Sequence, residues 1–319
     1  MSMKLHSRLE SLDEQLRAWK MNTVIVLHNG ETAAEWYEHG ADTMGSLYSC
    51  TKSVLSCLIG MAIDEGRIGS VDDPISDYLE HPAAARLADS SEAAIRIKHL
   101  LSMTPGFQWP DFDKPYRALR AASDPIGFVL EKAIISPPGQ AYTYNSGASH
   151  LLSALLTKAV GVPALDYASK KLFQPLGFRK ARWTERDGIN EGGTGLSLFG
   201  MDLAKFGLLY KLGGVWEGER LLSSEWIDLS TKMHHRGLLH YEPPIYGEYG
   251  YHWWRTPASH NGNTDCYFAF GHGGQYLLIA PEHDLIIVIR KTVTKRNDAD
   301  LSRRLIFEEL LPMFSSNAQ

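Results

Sequence analysis

Cysteine is scarce in this chain: Cys50, Cys57 and Cys266 are the three among 319 residues, with no CxxC pair and no Cys/His pair at zinc spacing. A disulfide framework and a thiolate metal site are therefore not expected, and a reducing compartment, the cytoplasm, is the expected location. Long hydrophobic runs are missing as well. The apolar stretches at residues 23–28 and 277–280 end far short of the roughly 20 residues that span a bilayer. The opening MSMKLHSRLESLDEQLRAWK is charged throughout, where a secretory leader carries an apolar core. Neither a membrane span nor secretion is expected. Nor does one sign of charge dominate: 32 Lys and Arg interleave with 37 Asp and Glu, a formal net charge of -5, which argues against nucleic acid as a partner. Gly-x-Ser-x-Gly is also absent, so the chain lacks the signature of an α/β-hydrolase nucleophile elbow. No repeat or low-complexity tract interrupts the sequence, and no motif specifies an oligomeric state.

What is present has the make-up of a compact folded protein, 44% hydrophobic and 22% charged, long enough for one large domain or two lobes sharing a core. Leu5, Leu9, Leu12, Leu16 and Trp19 recur at helical spacing among charges and predict an amphipathic helix over the first twenty residues. TVIVLHNG, ending in Asn29-Gly30, and a short β pattern at residues 34–37 read as a hairpin. Val54, Leu55, Leu58, Ile59, Ala62 and Ile63 share one helical face and predict a buried helix that runs to Gly66. Residues 70–232 are helix-rich and punctuated by Pro and Gly. From Tyr249 strands return in YGYHWWR, CYFAFGH, QYLLIAP and DLIIVIRK, and an amphipathic helix closes the chain over residues 298–311. Sheet segments at both ends predict a two-lobed α/β fold. Residues 1–69 and 236–319 form an antiparallel sheet flanked by helices, residues 70–235 an inserted all-helical lobe, and the ligand site lies in the groove between.

Three short stretches can carry chemistry. Ser49 and Lys52, in SCTK, stand one turn apart at the start of the buried helix, so hydroxyl and amine can touch. Desolvation there disfavours the charged amine, which brings it toward the range of a base, and the helix N-terminus favours an oxyanion beside Ser49. The plainer alternative is a capping serine followed by a snorkelling lysine. In PPGQAYTYNSGASHLL, Tyr144 precedes a Gly-containing turn and a new apolar helix. Beside a lysine its phenol can relay protons; otherwise it is a packed tyrosine. In GHGGQY, Gly273 and Gly274 between two β segments mark a close approach of backbone or ligand. There the N–H of Gln275 can pair with that of Ser49 as two oxyanion donors, and His272 can donate to a leaving group or a substrate carboxylate; a bulge with a surface histidine is the alternative.

Together Ser49-x-x-Lys52, Tyr144-Asn145-Ser146 and His272-Gly273-Gly274 have the order and separation of the three motifs of the serine β-lactamase and penicillin-recognising superfamily. The sequence resembles its class C-like branch of β-lactamase-related serine hydrolases, with supporting words SVDDPISDYL, IRIKHLLSMTPGFQW, KLFQPLGF, GGTGLSLFGMDLAKFG and GHGGQYLLIAP across nearly the whole chain. YNSG and MTPGFQW are most similar to the 6-aminohexanoate-dimer hydrolases of that branch, which cleave linear amides and often esters. The resemblance implies a two-lobed fold, Ser49 as acylated nucleophile, Lys52 as its proton acceptor and Tyr144 as general acid/base. It also shows two departures. His272 stands where β-lactamases usually carry lysine, which argues for weaker selection of a penicillin carboxylate, and Ser146 stands where they usually carry the asparagine that holds the acyl side-chain amide, serine being shorter with different donors. The expected activity is a metal-independent serine hydrolase, without cofactor, acting on a small ester, amide or lactam. The alternatives are a true β-lactamase, a D-amino-acid peptidase or a non-catalytic ligand-binding homologue. His234, His235 and His240 lie close in sequence, but no carboxylate or cysteine completes a metal geometry with them. Tyr249, Tyr251, Trp253 and Trp254 form an aromatic patch, one pair expected toward the groove and the other toward the core. Cys50 is expected to be a small buried hydrophobe.

Overall fold

The computed structural model describes residues 1–88, 94–110, 114–294 and 299–314. Its frame is an eight-stranded antiparallel sheet. The strand order is His235–Arg236, Glu248–Tyr249, Trp254–Thr256, Cys266–Gly271, Gln275–Ala280, Leu285–Lys291, Met21–His28 and Glu31–Tyr37. The two ends of the chain meet inside this sheet, with Val24 opposite Ile289 and His28 opposite Leu285. The hairpin Met21–His28 to Glu31–Tyr37 turns at Asn29 (φ 54°) and Gly30 (φ 81°), the paired positive values that match strand twist in a two-residue turn.

The central strands are apolar on both faces because both are covered. Val24, Val26, Leu278, Ile287 and Ile289 point one way, into a cluster with Leu5, Leu9 and Leu16 of the N-terminal segment and Leu305, Ile306 and Leu310 of the C-terminal one. Ile25, Leu27, Leu277, Ile279, Ile286 and Val288 point the other way, toward the helices Thr51–Asp64 and Gly200–Lys211. The helix Gly200–Lys211 falls within residues 70–235 but packs on the sheet. A Cβ at Gly207 would lie 2.7 Å from Leu277 Cδ1, so glycine lets the helix settle onto the strands. The rest of residues 70–235 is built around the helix Ser146–Val160, and it also holds short strands. Leu196–Phe199 pairs with Arg182–Trp183 and with Met44–Ser46 in a three-stranded sheet; one small hairpin, Glu185–Arg186 with Ile189–Asn190, lies between its strands in the chain and another, Val215–Trp216 with Glu219–Arg220, comes after them.

Four local expectations change. The N-terminal helix is two helices, Ser2–Ser11 and Asp13–Ala18, broken at Leu12 (φ −98°, ψ 2°), yet Leu5, Leu9, Leu12 and Leu16 all stay buried. The last helix begins as Ala299–Arg304, widens over Leu305–Leu310 and tightens over Leu311–Phe314; Asp298 lies outside the described residues. YGYHWWR is a turn between two strands, with His252 at φ 62°, rather than one strand. Gly273 (φ 76°) and Gly274 (φ 93°) form the hairpin turn between Cys266–Gly271 and Gln275–Ala280, not a strand interior. The close backbone approach expected of this motif occurs at Gly271, where a Cβ would lie 2.3 Å from the carbonyl oxygen of Leu47.

Candidate active site

The buried helix is entered through a tight 3-10 turn, Tyr48–Cys50, closed by Cys50 N–H donating to Leu47 O at 3.1 Å. Tyr48, at φ 46°, is a non-glycine residue in the left-handed region, a conformation that costs about 1–3 kcal/mol and persists where the surroundings over-determine it. Its ring meets the exposed His272 edge-on, centroids 5.6 Å apart. Ser49 follows, half-buried, on the wall of a groove of about 880 Å³.

Lys52, one turn on, is 1% exposed. Its Nζ lies 3.1 Å from Ser49 Oγ, 2.8 Å from Ser146 Oγ and 2.8 Å from the carbonyl oxygen of Gly193. A carbonyl only accepts, so Nζ donates to Gly193, whereas the two hydroxyls can give or take a proton. The amine therefore sits between two exchangeable hydroxyls with its orientation set by the backbone.

Tyr144 is placed by the helix that follows it. Asn145 caps Ser146–Val160, its Oδ1 accepting from Ala148 N–H at 3.0 Å, and this fixes the chain on both sides of the cap. The Tyr144 ring is 6% exposed, stacks on Trp254 (5.9 Å, 13°), meets Tyr249 edge-on and presents its face to Lys52 Nζ at 4.8 Å. Ser49, Lys52, Tyr144 and Ser146 thus converge from two distant helices. His272 and Gly273 line the same groove. The side chain of Gln275 turns away from it: Nε2 donates to Lys291 O and His272 O, and Oε1 accepts from Lys291 N–H. Its carbonyl accepts Cys50 Sγ at 3.5 Å, which brings the main chain of residue 275 beside the Tyr48–Cys50 turn. Burial pushes the Cys50 thiol well up from its ordinary pKa, away from thiolate chemistry.

The aromatic patch divides, although not by strand alternation. Trp254 and Tyr249 join the cluster around Tyr144, while Tyr251 and Trp253 pack in the core on the other side of the sheet. The three sequence-adjacent histidines also separate. His234 stacks on Tyr251 at 3.8 Å, His235 on Tyr142 at 6.0 Å, and His240 lines the groove. Among the described residues no three His, Cys, Asp or Glu side chains converge as a ligand set.

Two contributors were not legible in the sequence. Gly193 shows there only as part of a glycine turn; its use as a carbonyl acceptor depends on a tight approach in which a Cβ would lie 2.7 Å from Ser146 Cβ. His252, 2% exposed, makes four hydrogen bonds to three residues on three segments. Its backbone N–H and Nδ1 both meet Leu101 O, at 3.0 and 2.9 Å; Nε2 meets Ser149 Oγ at 3.0 Å, and its carbonyl accepts Ser53 Oγ at 2.7 Å. Because Leu101 O accepts, Nδ1 carries the proton and the neutral Nε2 accepts from Ser149. Burial, and then the charge of Lys52, lowers the His252 pKa to about 3.

The Beta-lactamase family model matches residues 20–310. The chain belongs to the Beta-lactamase family. Within it, this chain is 25% identical over 304 residues to a 6-aminohexanoate-dimer hydrolase of Paenarthrobacter ureafaciens, a match that covers 89% of this chain and 76% of that protein. It is 28% identical over 159 residues to esterase EstB of Burkholderia gladioli, covering 43% of this chain and 38% of the other. The solved structure of EstCE1, a hydrolase with promiscuous acyltransferase activity, superposes with a TM-score of 0.73 at 18% identity, covering 94% and 99% of the two chains. The octameric penicillin-binding protein homologue from Pyrococcus abyssi superposes at 0.68 with 18% identity, covering 97% and 79%, and shares the fold of this Beta-lactamase family member.

Proposed function

We propose that this chain is a serine hydrolase that cleaves a small ester or linear amide through an acyl-enzyme on Ser49. The observation that carries the reading is the position of Lys52 Nζ, buried between Ser49 Oγ and Ser146 Oγ at the wall of an open groove. In the first half-reaction Ser49 Oγ attacks the carbonyl carbon while its proton passes to neutral Lys52. The bond to the leaving group then breaks as that atom takes the proton of the Tyr144 phenol. Water next attacks the Ser49 ester and yields its proton to the Tyr144 phenolate; the Ser49 oxygen recovers its own from Lys52. The N–H groups of Ser49 and Gln275 are the proposed oxyanion donors. Ser146 is the proposed second partner of the amine, and His272 and Gly274 shape the rim with Gly273.

His272, in the place of the family's usual lysine, stands on the groove wall. A neutral ester or linear amide therefore fits better than the carboxylate of a lactam antibiotic or a D-amino-acid peptide. We further propose the division into lobes at residues 1–69 with 236–319 and 70–235, with Gly200–Lys211 packed as part of the sheet lobe. A cytoplasmic setting agrees with three free, buried cysteines. Among the described residues no single helix is long and apolar enough to cross a membrane.

Ser49→Ala is expected to abolish p-nitrophenyl acetate turnover while the circular dichroism spectrum and melting temperature stay near wild type. Intact-mass spectrometry should show a fluorophosphonate adduct on the wild type and none on the variant. Full turnover by folded Ser49→Ala would end the assignment.

A further inference from the structure

The run Gly192-Gly193 lies flat against the start of the helix Ser146–Val160, beside Lys52. A Cβ at residue 192 would lie 1.9 Å from Ser149 O and one at residue 193 3.3 Å from Lys52 Nζ. With no side chains, this strip is a thin wall. On one side is the groove that holds Ser49; on the other is a second cavity of about 330 Å³. Gly193 and Tyr116 border both. Tyr116, half-buried on the helix Tyr116–Ala121, is thus the side chain that stands between them.

The second cavity is walled by Leu119, Pro125, Ile126 and Ile189 together with charged groups that pair among themselves or with the backbone. Glu191 takes the Tyr116 hydroxyl on one oxygen (2.9 Å) and Arg120 Nε on the other (3.0 Å). Arg186 donates to Ala122 O and pairs with Asp187, and Asp124 caps the helix Pro125–Leu130. His150, buried in the same wall, has its pKa lowered to about 4 by burial and then by Arg186. Charge here is spent locally, and the open surface left for a guest is aliphatic.

Resting on the serine-hydrolase reading, we propose that this cavity is a substrate subsite for an extended, uncharged apolar arm, an alkyl chain or aryl group of the ester or amide. Tyr116 is the residue that sets the length admitted. Its phenol closes the passage while bonded to Glu191, and turning it aside joins the two spaces beside Gly193.

The test is kcat/KM for p-nitrophenyl esters from acetate to decanoate, with a matched series lengthened on the alcohol side to show which half of the substrate enters. Wild type is compared with Tyr116→Phe, Tyr116→Ala and Ile189→Trp, and each variant is read as its long-to-short ratio, which cancels any loss of folded protein. One extra methylene in an apolar pocket is worth about tenfold or more in kcat/KM. The octanoate-to-acetate ratio, or its alcohol-side counterpart, is expected to rise at least tenfold in Tyr116→Ala and by less in Tyr116→Phe, which frees the ring from Glu191 but keeps its bulk. Ile189→Trp, which fills the cavity, is expected to lower it at least tenfold. Length profiles that run parallel in all four proteins in both series overturn the subsite while leaving the hydrolase standing. Absence of any acyl adduct on Ser49 of the wild type overturns both.

Discussion

Lys52 shows most directly how residue type and placement combine. A lysine in water is a cation and no base; buried at 1% exposure, with a carbonyl fixing its direction and a hydroxyl on each flank, it is placed to pass a proton between Ser49 and Ser146. Lys52→Arg keeps positive charge and hydrogen bonding but removes the ability to deprotonate. Turnover of p-nitrophenyl acetate by this variant is expected to fall by at least 10²-fold, the lower range for loss of general-base catalysis, and to lack the rise with pH expected of the wild type. A pH–rate profile of both proteins checks it, and wild-type turnover in the variant would contradict a neutral lysine. Ser146→Ala, which takes away one flank, is expected to slow turnover without preventing acylation of Ser49, as burst kinetics and intact mass would show.

Among the elements, the seam between the strand Cys266–Gly271 and the Tyr48–Cys50 turn governs where the nucleophile sits. Gly271 lets the strand end lie directly under Leu47 O. Gly271→Ala drives a methyl into a backbone oxygen that cannot swing aside, so the turn carrying Ser49 has to move. Overpacking of this kind costs about 1–3 kcal/mol. The expected outcome is a stability loss of that size, seen as a lower melting temperature, together with a disproportionate fall in kcat, because a shift of about 1 Å at the nucleophile costs on the order of 10²-fold. Thermal denaturation and steady-state kinetics on the same preparation measure both. The element scale also shows where local pattern misleads. GHGG reads as glycines inside a strand, because the flanking β patterns run up to it on both sides. Only the φ values of residues 273 and 274 reveal a hairpin turn. YGYHWWR fails for the same reason: its aromatics favour a strand, but the hydrogen bonds of His252 to Leu101 and Ser149 hold the chain in a turn.

Over the whole molecule, His252 ties the turn next to the sheet to the helices Ile97–Leu101, Thr51–Asp64 and Ser146–Val160. It is neutral in the folded chain, with a pKa near 3, and His150 near 4 behaves alike. In the unfolded chain a histidine titrates near 6.5, so between that value and its folded pKa the unfolded state binds the extra proton. Sign and window follow: these two residues leave stability level above about pH 6.5 and remove up to about 1.4 kcal/mol each per pH unit as pH falls toward 4. Melting temperature is therefore expected to be flat from pH 7 to 8 and to fall steeply from pH 6 to 4. His252→Gln, lacking a titrating ring, is expected to soften the acid slope even while lowering stability at pH 7. Calorimetry across that range checks both statements, and an unchanged slope in the variant would exclude His252 as a source.

What the sequence determined by itself was whatever a local period or a short spacing can encode. The buried helix from Thr51, the strands at both ends and the proximity of Ser49 to Lys52 follow from repeats of 3.6 and 2 and from a one-turn offset, which depend on neighbours in the chain. Tertiary structure decided the rest. The carbonyl of Gly193 beneath Lys52, the ring of Trp254 against Tyr144, the retreat of the Gln275 side chain toward Lys291 and the clamp at His252 join residues up to about 200 positions apart. Such contacts are set by how closely packed surfaces meet, and no local pattern records the shape of a surface that another part of the chain supplies.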